Sequence, residues 1–300
     1  MSANWFSILW RLMRPPTLTA SLTPVLVGTG LALQHAPFRI GLFVAMLLAS
    51  VFIQAAANMI NEYADFKRGL DTKEMVGIAG TIVRDGVAPK TVLTIFFATL
   101  CISLLLGVYI TVSTSWWVAI TGTLSMVFMY LYSTGPHPIS YTPFGEITAG
   151  ILMGPVIVLI SFYIQTRYLS VTAAVASIPI GLLIGAVLLA NNIRDIEHDR
   201  PGGRKTLPVL LGRDRAISLL NGVFFTSYLI LIILVLSRTL TPFSLITVLV
   251  YPFSARIAQM FRKATDSTQL QNAFKSTSLT LIRFGFLLFV GLLAGAYINL

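Results

Sequence analysis

Charge is scarce in this sequence. Asp, Glu, Lys and Arg make up only 11% of its 300 residues, against about 25% in a soluble domain. That scarcity excludes an ordinary water-soluble globule. Cysteine is almost absent: Cys101 stands alone in an apolar run, so no intrachain disulfide can form and the residue reads as packing. Histidine is rare too, and His35, His137 and His198 have no ligand spacing among themselves. Nor is there a secretory pattern at the N-terminus, since Arg11 and Arg14 follow the aromatic segment WFSILW and no small-residue cleavage site comes after them. What fills the sequence instead is apolar: 56% of residues are hydrophobic, with a mean hydropathy of +0.83. An integral membrane protein follows, its N-terminal Trp5, Phe6 and Trp10 forming an interfacial anchor with Arg11 and Arg14.

A membrane-spanning helix needs about 20 mostly apolar residues. On that ruler the chain reads as an all-α membrane protein with nine spans in a single domain, 1–300. The first runs from about Thr17 to Gln34, and the second from Ile40 into a polar stretch beginning at Asn58. Thr91 to Gly145 contains no Lys, Arg, Asp or Glu and is too long for one span. It divides at Thr111–Ser115 (TVSTS) into the third and fourth, followed by the Pro/Gly loop Tyr132–Gly145. The fifth is Glu146–Gln165 and the sixth runs from Val171 to about Ile193. The seventh is Ala216–Leu236, the eighth Thr239–Ala255 and the ninth Phe284–Leu300. All of the 21 Lys and Arg residues except Arg39, Arg167 and Arg238 then fall on one side, together with every acidic residue. By the positive-inside rule this predicts a multi-pass protein of the cell membrane with its N-terminus cytoplasmic and its C-terminus outside. The net charge of +10 reads as basic loops facing anionic lipid, with no nucleic-acid partner.

Two polar clusters stand out. In NMINEYADFKRGLD, Asn58, Asn61, Glu62 and Asp65 lie at offsets 0, 3, 4 and 7, one face of a helix, with Gly69 ending that helix and Asp71 just beyond. In NNIRDIEHDR, Asn191, Asp195 and Asp199 lie at offsets 0, 4 and 8, with Asn192 three before Asp195. The clusters follow the second and sixth spans, so they share a side and form a weak internal repeat. A solvated loop boundary accounts for one Asp but not for two matched faces. Opposed carboxylates bind hard divalent cations, and Mg²⁺ takes one or two carboxylates together with water and substrate phosphates. GGRKT, Gly202–Thr206, has a P-loop tail without the upstream glycines or strand. It is not a P-loop, but Arg204 and Lys205 remain candidates for phosphate contact, as does Arg84.

NEYADFKRGLDT and NNIRDIEHDRPGGRKTL resemble the two Asp-rich motifs of the UbiA superfamily of intramembrane aromatic prenyltransferases. RPPTLTASLTPVLVGT, VRDG and YTPFGEI carry the resemblance over most of the chain. Glu62, in place of the more frequent Asp, and the gap of six between Asp65 and Asp71 suit the branch of the family that acts on 1,4-dihydroxy-2-naphthoate in menaquinone biosynthesis. The loop after the fourth span lacks a basic residue that other members carry, so another cation must do its work. The resemblance implies nine helices around a central cavity with the active site at the cytoplasmic side. It implies Mg²⁺ held between the motifs and bridging to the diphosphate of a polyprenyl donor, with membrane lipid around the helices. Asn61, Asp65 and Asp71 would serve one metal site, with Glu62 in support, and Asp195 and Asp199 the other. Asp65, Asp71, Asp195 and Asp199 are then the expected catalytic set. Asn58, Asn61, Arg84, Asn191, Asn192, Arg204 and Lys205 are the expected substrate contacts. Tyr63, Phe66, Tyr130 and Tyr132 are candidates to stabilise an allylic cation. The implied reaction prenylates the naphthoate with loss of its carboxylate, giving demethylmenaquinone. Two alternatives stay open on the sequence: another aromatic acceptor, such as 4-hydroxybenzoate or homogentisate, or a membrane transporter.

Overall fold

The computed structural model describes residues 5–70 and 80–298, and every regular element among them is helical. The short α1 (Trp5–Met13) buries Ile8 and Leu12 and leaves Trp5, Phe6 and Trp10 exposed. α2 (Pro15–Ala32) starts with two prolines, whose fixed φ suits the first helical turn. α3 (Ile40–Lys67) carries the first polar cluster, and Gly69 stops it with a φ of +71° that a residue with a Cβ rarely adopts. The single turn α4 (Thr81–Arg84) leads to α5 (Pro89–Ser113) and α6 (Trp116–Ser133). The uncharged run divides where TVSTS predicts, and Ser115 caps α6 by accepting a hydrogen bond from the Trp117 amide at 3.4 Å. α7 (Gly145–Thr166) contains a π-helical turn at Leu152–Val156, around Pro155. α8 (Val171–Asp199) carries the second cluster. α9 (Leu207–Leu211), α10 (Arg213–Leu236), α11 (Pro242–Lys263) and α12 (Ser267–Ile298) complete the chain.

Seven of these helices, α3, α5, α7, α8, α10, α11 and α12, are long and apolar enough to cross a membrane. The other two expected spans correspond to α2 and α6, each of 18 residues.

Two expected boundaries are corrected. The eighth span does not stop at Ala255 but continues as α11 to Lys263, and the last helix begins at Ser267 rather than Phe284. Arg256, Arg262, Lys263, Lys275 and Arg283 are therefore helical and not part of a loop. The apolar run marks where hydrocarbon-compatible sequence ends, whereas Lys and Arg extend a helix readily. Their long stems also cover apolar surface, as where the Arg283 guanidinium lies 4.9 Å from the centre of the Phe253 ring.

The helices pack as two groups. α3 lies along α5 and meets α6, while α8 packs on α7, α10 and α12, and α2 joins the groups through α3, α7 and α12. The largest buried cluster joins the second group to α2 and includes Leu183, Ile217, Phe224 and Phe284. α7 and α8 approach closely because they meet through glycines: a Cβ on Gly154 would fall 2.4 Å from the Gly181 Cα. Small residues at such crossings let two backbones touch, and this sets the position of α8 and of the polar cluster at its end.

Candidate active site

Asp65 and Asp199 stand at the C-terminal ends of α3 and α8, where helix dipoles oppose a negative charge. Both are buried, at 6% and 4% exposure. Burial and dipole together demand a nearby cation, and Arg204 supplies it. Its Nη2 donates to Asp65 Oδ1 at 2.6 Å and its Nη1 to Asp199 Oδ1 at 3.1 Å. One guanidinium thus ties together two motifs far apart in sequence. Burial alone would lower the pKa of Arg204, but the Asp65 and Asp199 carboxylates raise it above its usual value, so the guanidinium stays cationic.

The remaining motif residues arrange themselves around this clasp. Asn58, Asn61 and Asn191 all line a cavity of ≈ 300 Å³ that continues inward between apolar side chains such as Met46, Ile110 and Ile157. Asp195 is gripped by its neighbour Arg194, at 2.6 and 2.7 Å to its two oxygens. Arg194 also donates to Asn191 Oδ1 at 2.9 Å and to Gln271 Oε1 of α12 at 2.7 Å, and it lies over the Phe274 ring. Asn192 faces a different partner, donating to Glu146 Oε1 at 2.8 Å.

Glu62 and Asn58 build the support. Glu62 is fully buried. Its Oε1 accepts from the Thr81 hydroxyl and, at 3.2 Å, from the Ile82 amide, while Oε2 lies 3.6 Å from Arg14. It therefore fixes α4, which carries the exposed Arg84 at its end. Asn58 Nδ2 donates to the Met13 carbonyl at 2.7 Å and to Thr17 Oγ1 at 2.8 Å. These bonds flank Arg14, which holds a left-handed φ of 50° between α1 and α2 and reaches the cavity wall. Such a backbone persists only where its surroundings over-determine it. Asn58→Ala is expected to lower stability by about 1–3 kcal/mol, the cost of stranding buried hydrogen-bonding groups, read as a fall in the thermal unfolding midpoint in detergent.

Asp71 lies outside the described residues. Lys205 is exposed, and its backbone amide donates to the Tyr141 carbonyl at 2.8 Å. Of the four aromatic candidates, Tyr132 lines the cavity, whereas Tyr130 is 50% exposed, Phe66 37%, and Tyr63 packs against the core between α3 and α5. Glu146, Arg68, Tyr141, Gln271 and Phe274 were missed as parts of this region. YTPFGEI gave a weak pointer to Tyr141 and Glu146, but nothing in the sequence pairs α12 with the second motif.

The donor set fits a hard divalent cation. Two carboxylates already share one positive charge, Asp199 Oδ2 is buried without a partner, and three Asn side chains, Asn58, Asn61 and Asn191, line the adjoining cavity. Among the described residues no three His, Cys, Asp or Glu side chains form a closed metal cage. An open pair of carboxylates suits a cation whose remaining ligands come from substrate phosphate and water.

An all-helical chain with bilayer-length helices, with two acidic helix ends clasped by one arginine and with asparagines earlier on the same two helices lining an apolar cavity, fits a class of intramembrane proteins that handle an anionic head and a lipid tail together. The UbiA prenyltransferase family profile matches residues 21–281, and the chain belongs to that family. It is 49% identical over 286 residues to the 1,4-dihydroxy-2-naphthoate octaprenyltransferase of Bacillus subtilis, covering 95% of this chain and 92% of that protein. The Mycobacterium tuberculosis protein of the same name is 29% identical over 90% of this chain and 91% of its own length. Among solved structures, a UbiA homologue from Aeropyrum pernix superposes with a TM-score of 0.70 at 17% identity, over 92% of this chain and 98% of that one. An Archaeoglobus fulgidus homologue bound to DMAPP and Mg²⁺ gives 0.61 at 18% identity, over 94% and 99%. These structures share the fold.

Proposed function

We propose that this protein transfers a polyprenyl group from polyprenyl diphosphate to 1,4-dihydroxy-2-naphthoate with loss of the ring carboxylate, giving demethylmenaquinone. The observation that carries the chemistry is the Asp65–Arg204–Asp199 clasp, on the same two helices whose Asn61 and Asn191 line the cavity. The 49% identity to the Bacillus subtilis enzyme supports the choice of acceptor. The carboxylates sit at helix ends and not midway along them, which favours an enzyme over a transporter with midplane sites.

Diphosphate leaves poorly until its charge is neutralised. Mg²⁺, when bound, supplies that neutralisation. Asp65 and Asp199 would hold it, with Asn61, Asp195 and, from the sequence, Asp71, while Glu62 positions α4 beside them. Arg204 presents guanidinium N–H groups where charge develops on the departing diphosphate. Asn61 and Asn191 offer hydrogen bonds at the polar end of the cavity. The apolar wall excludes water from the allylic cation, and the face of Tyr132 stabilises it. The prenyl tail follows the apolar lining inward. This reading keeps one domain with nine spans around the cavity: α2 and α6, at about 27 Å each, come close to the ~30 Å hydrocarbon core. The site lies at the cytoplasmic side, with the N-terminus there and the C-terminus outside.

The test is turnover by purified protein with Mg²⁺, a polyprenyl diphosphate and each aromatic acid in turn, with products identified by mass spectrometry. Prenylated naphthoquinol with CO₂ release is the expected outcome. Turnover of 4-hydroxybenzoate or homogentisate alone would refute the acceptor assignment.

A further inference from the structure

The Tyr141 ring lies against two guanidinium groups. Arg68 is 5.0 Å from its centre and Arg204 4.8 Å. Arg204 is balanced by Asp65 and Asp199, whereas among the described residues no carboxylate pairs with Arg68. Arg68 instead crosses from the end of α3 to the end of α6. Its Nη1 donates to the Ser133 carbonyl at 2.9 Å and its Nη2 to the Gly135 carbonyl at 3.0 Å. It thereby places a permanent charge in a loop that has no Lys or Arg of its own. Beside it the Tyr141 hydroxyl and Ser140 Oγ are shielded from solvent and have no hydrogen-bond partner.

Two like charges on one ring repel, and an anion carrying more than one charge relieves that repulsion. Five N–H donors stand on a guanidinium, so two bonds to carbonyls leave others for a ligand. The unpartnered Tyr141 hydroxyl adds a donor at the same place. Tyr141 is itself fixed from both motifs, by Arg68 from the first and by the Lys205 amide from the second. Resting on the prenyl-transfer reading above, we propose that Arg68 is a diphosphate-binding residue, acting with Arg204 on either side of a Tyr141 spacer.

Isothermal calorimetry of inorganic pyrophosphate binding to the purified protein with Mg²⁺ tests this, alongside KM values and thermal unfolding. Charge-assisted bonds are roughly twice as strong as neutral ones, so Arg68→Gln is expected to weaken pyrophosphate binding by about tenfold or more. KM for the polyprenyl diphosphate should rise while KM for the naphthoate and the unfolding midpoint hold. Arg68→Lys, which keeps the charge, should recover part of the affinity. Equal pyrophosphate affinity in wild type and Arg68→Gln overturns the proposal. So does a loss of affinity that tracks a lowered midpoint, which would make Arg68 only a tie for the loop, and so does a wild type that binds no pyrophosphate. Should Arg68-dependent binding appear without any prenyl transfer, the contact stands and the naphthoate reading falls.

Discussion

Arg204→Ala is expected to cut prenyl transfer by about a hundredfold or more, the scale on which losing one preorganised donor to a developing anion acts. The same substitution leaves Asp65 and Asp199 facing each other at two helix C-termini with no shared cation. Breaking a buried ion pair by removing one partner costs about 3–5 kcal/mol. The variant should therefore unfold at a lower temperature than wild type in EDTA. Because the vacated carboxylates would bind a divalent cation without competition from the guanidinium, Mg²⁺ should restore more of its midpoint than it adds to wild type. Activity and stability thus separate: Mg²⁺ rescues the fold and leaves the rate low. A wild-type rate in Arg204→Ala would remove the clasp from the mechanism. An unfolding midpoint indifferent to Mg²⁺ would remove the carboxylates as cation ligands.

Gly154→Val is expected to prevent a stable fold. A Cβ at Gly154 would meet the Gly181 Cα at 2.4 Å and its nitrogen at 2.7 Å, and a Cβ at Gly150 would fall 2.8 Å from the Gly181 carbonyl oxygen. These neighbours are backbone, so no rotamer change makes room. Overpacking of side chains typically costs about 1–3 kcal/mol, and here the strain must move α7 or α8 as a body. Because α8 ends in Asp199, any shift that saves the fold also opens the clasp. Even Gly154→Ala should lower both the midpoint and the activity. Gly222→Ala in α10, where nothing lies within 4 Å of the added carbon, is the control. It should hold or gain up to about 1 kcal/mol, because Ala favours the helix over Gly. Midpoints from fluorescence-detected unfolding in detergent distinguish the two sites.

Much of this was legible in the residues. Asn58, Asn61 and Asp65 share a face because helical periodicity is local, and Gly69 ends α3 because few other residues adopt its φ. Arg204, five residues past a helix end and beside two glycines, reads as a phosphate contact on proximity alone. Its role as the bridge between motifs was not legible, because the Asp65 contact spans 139 positions. Glu62 reads as one more ligand of the first face, yet its carboxylate is taken up by Thr81, Ile82 and Arg14. The loop after α6 lacks a cation of its own, and nothing local in the sequence tells which other residue stands in for it. Arg68 supplies a charge there from the end of another helix.

The sequence by itself determined the solvent this protein needs, the order of its helices and the two polar faces that carry its chemistry. Those properties depend on composition and on periods of a few residues. Tertiary structure decided which carboxylates share a cation, which asparagines reach the cavity and which only brace it. It also decided how far the last two helices run past their apolar segments. These outcomes rest on side chains meeting across helices, set by the Gly154–Gly181 contact and the reach of Arg68, Arg194 and Arg204, which no local pattern encodes.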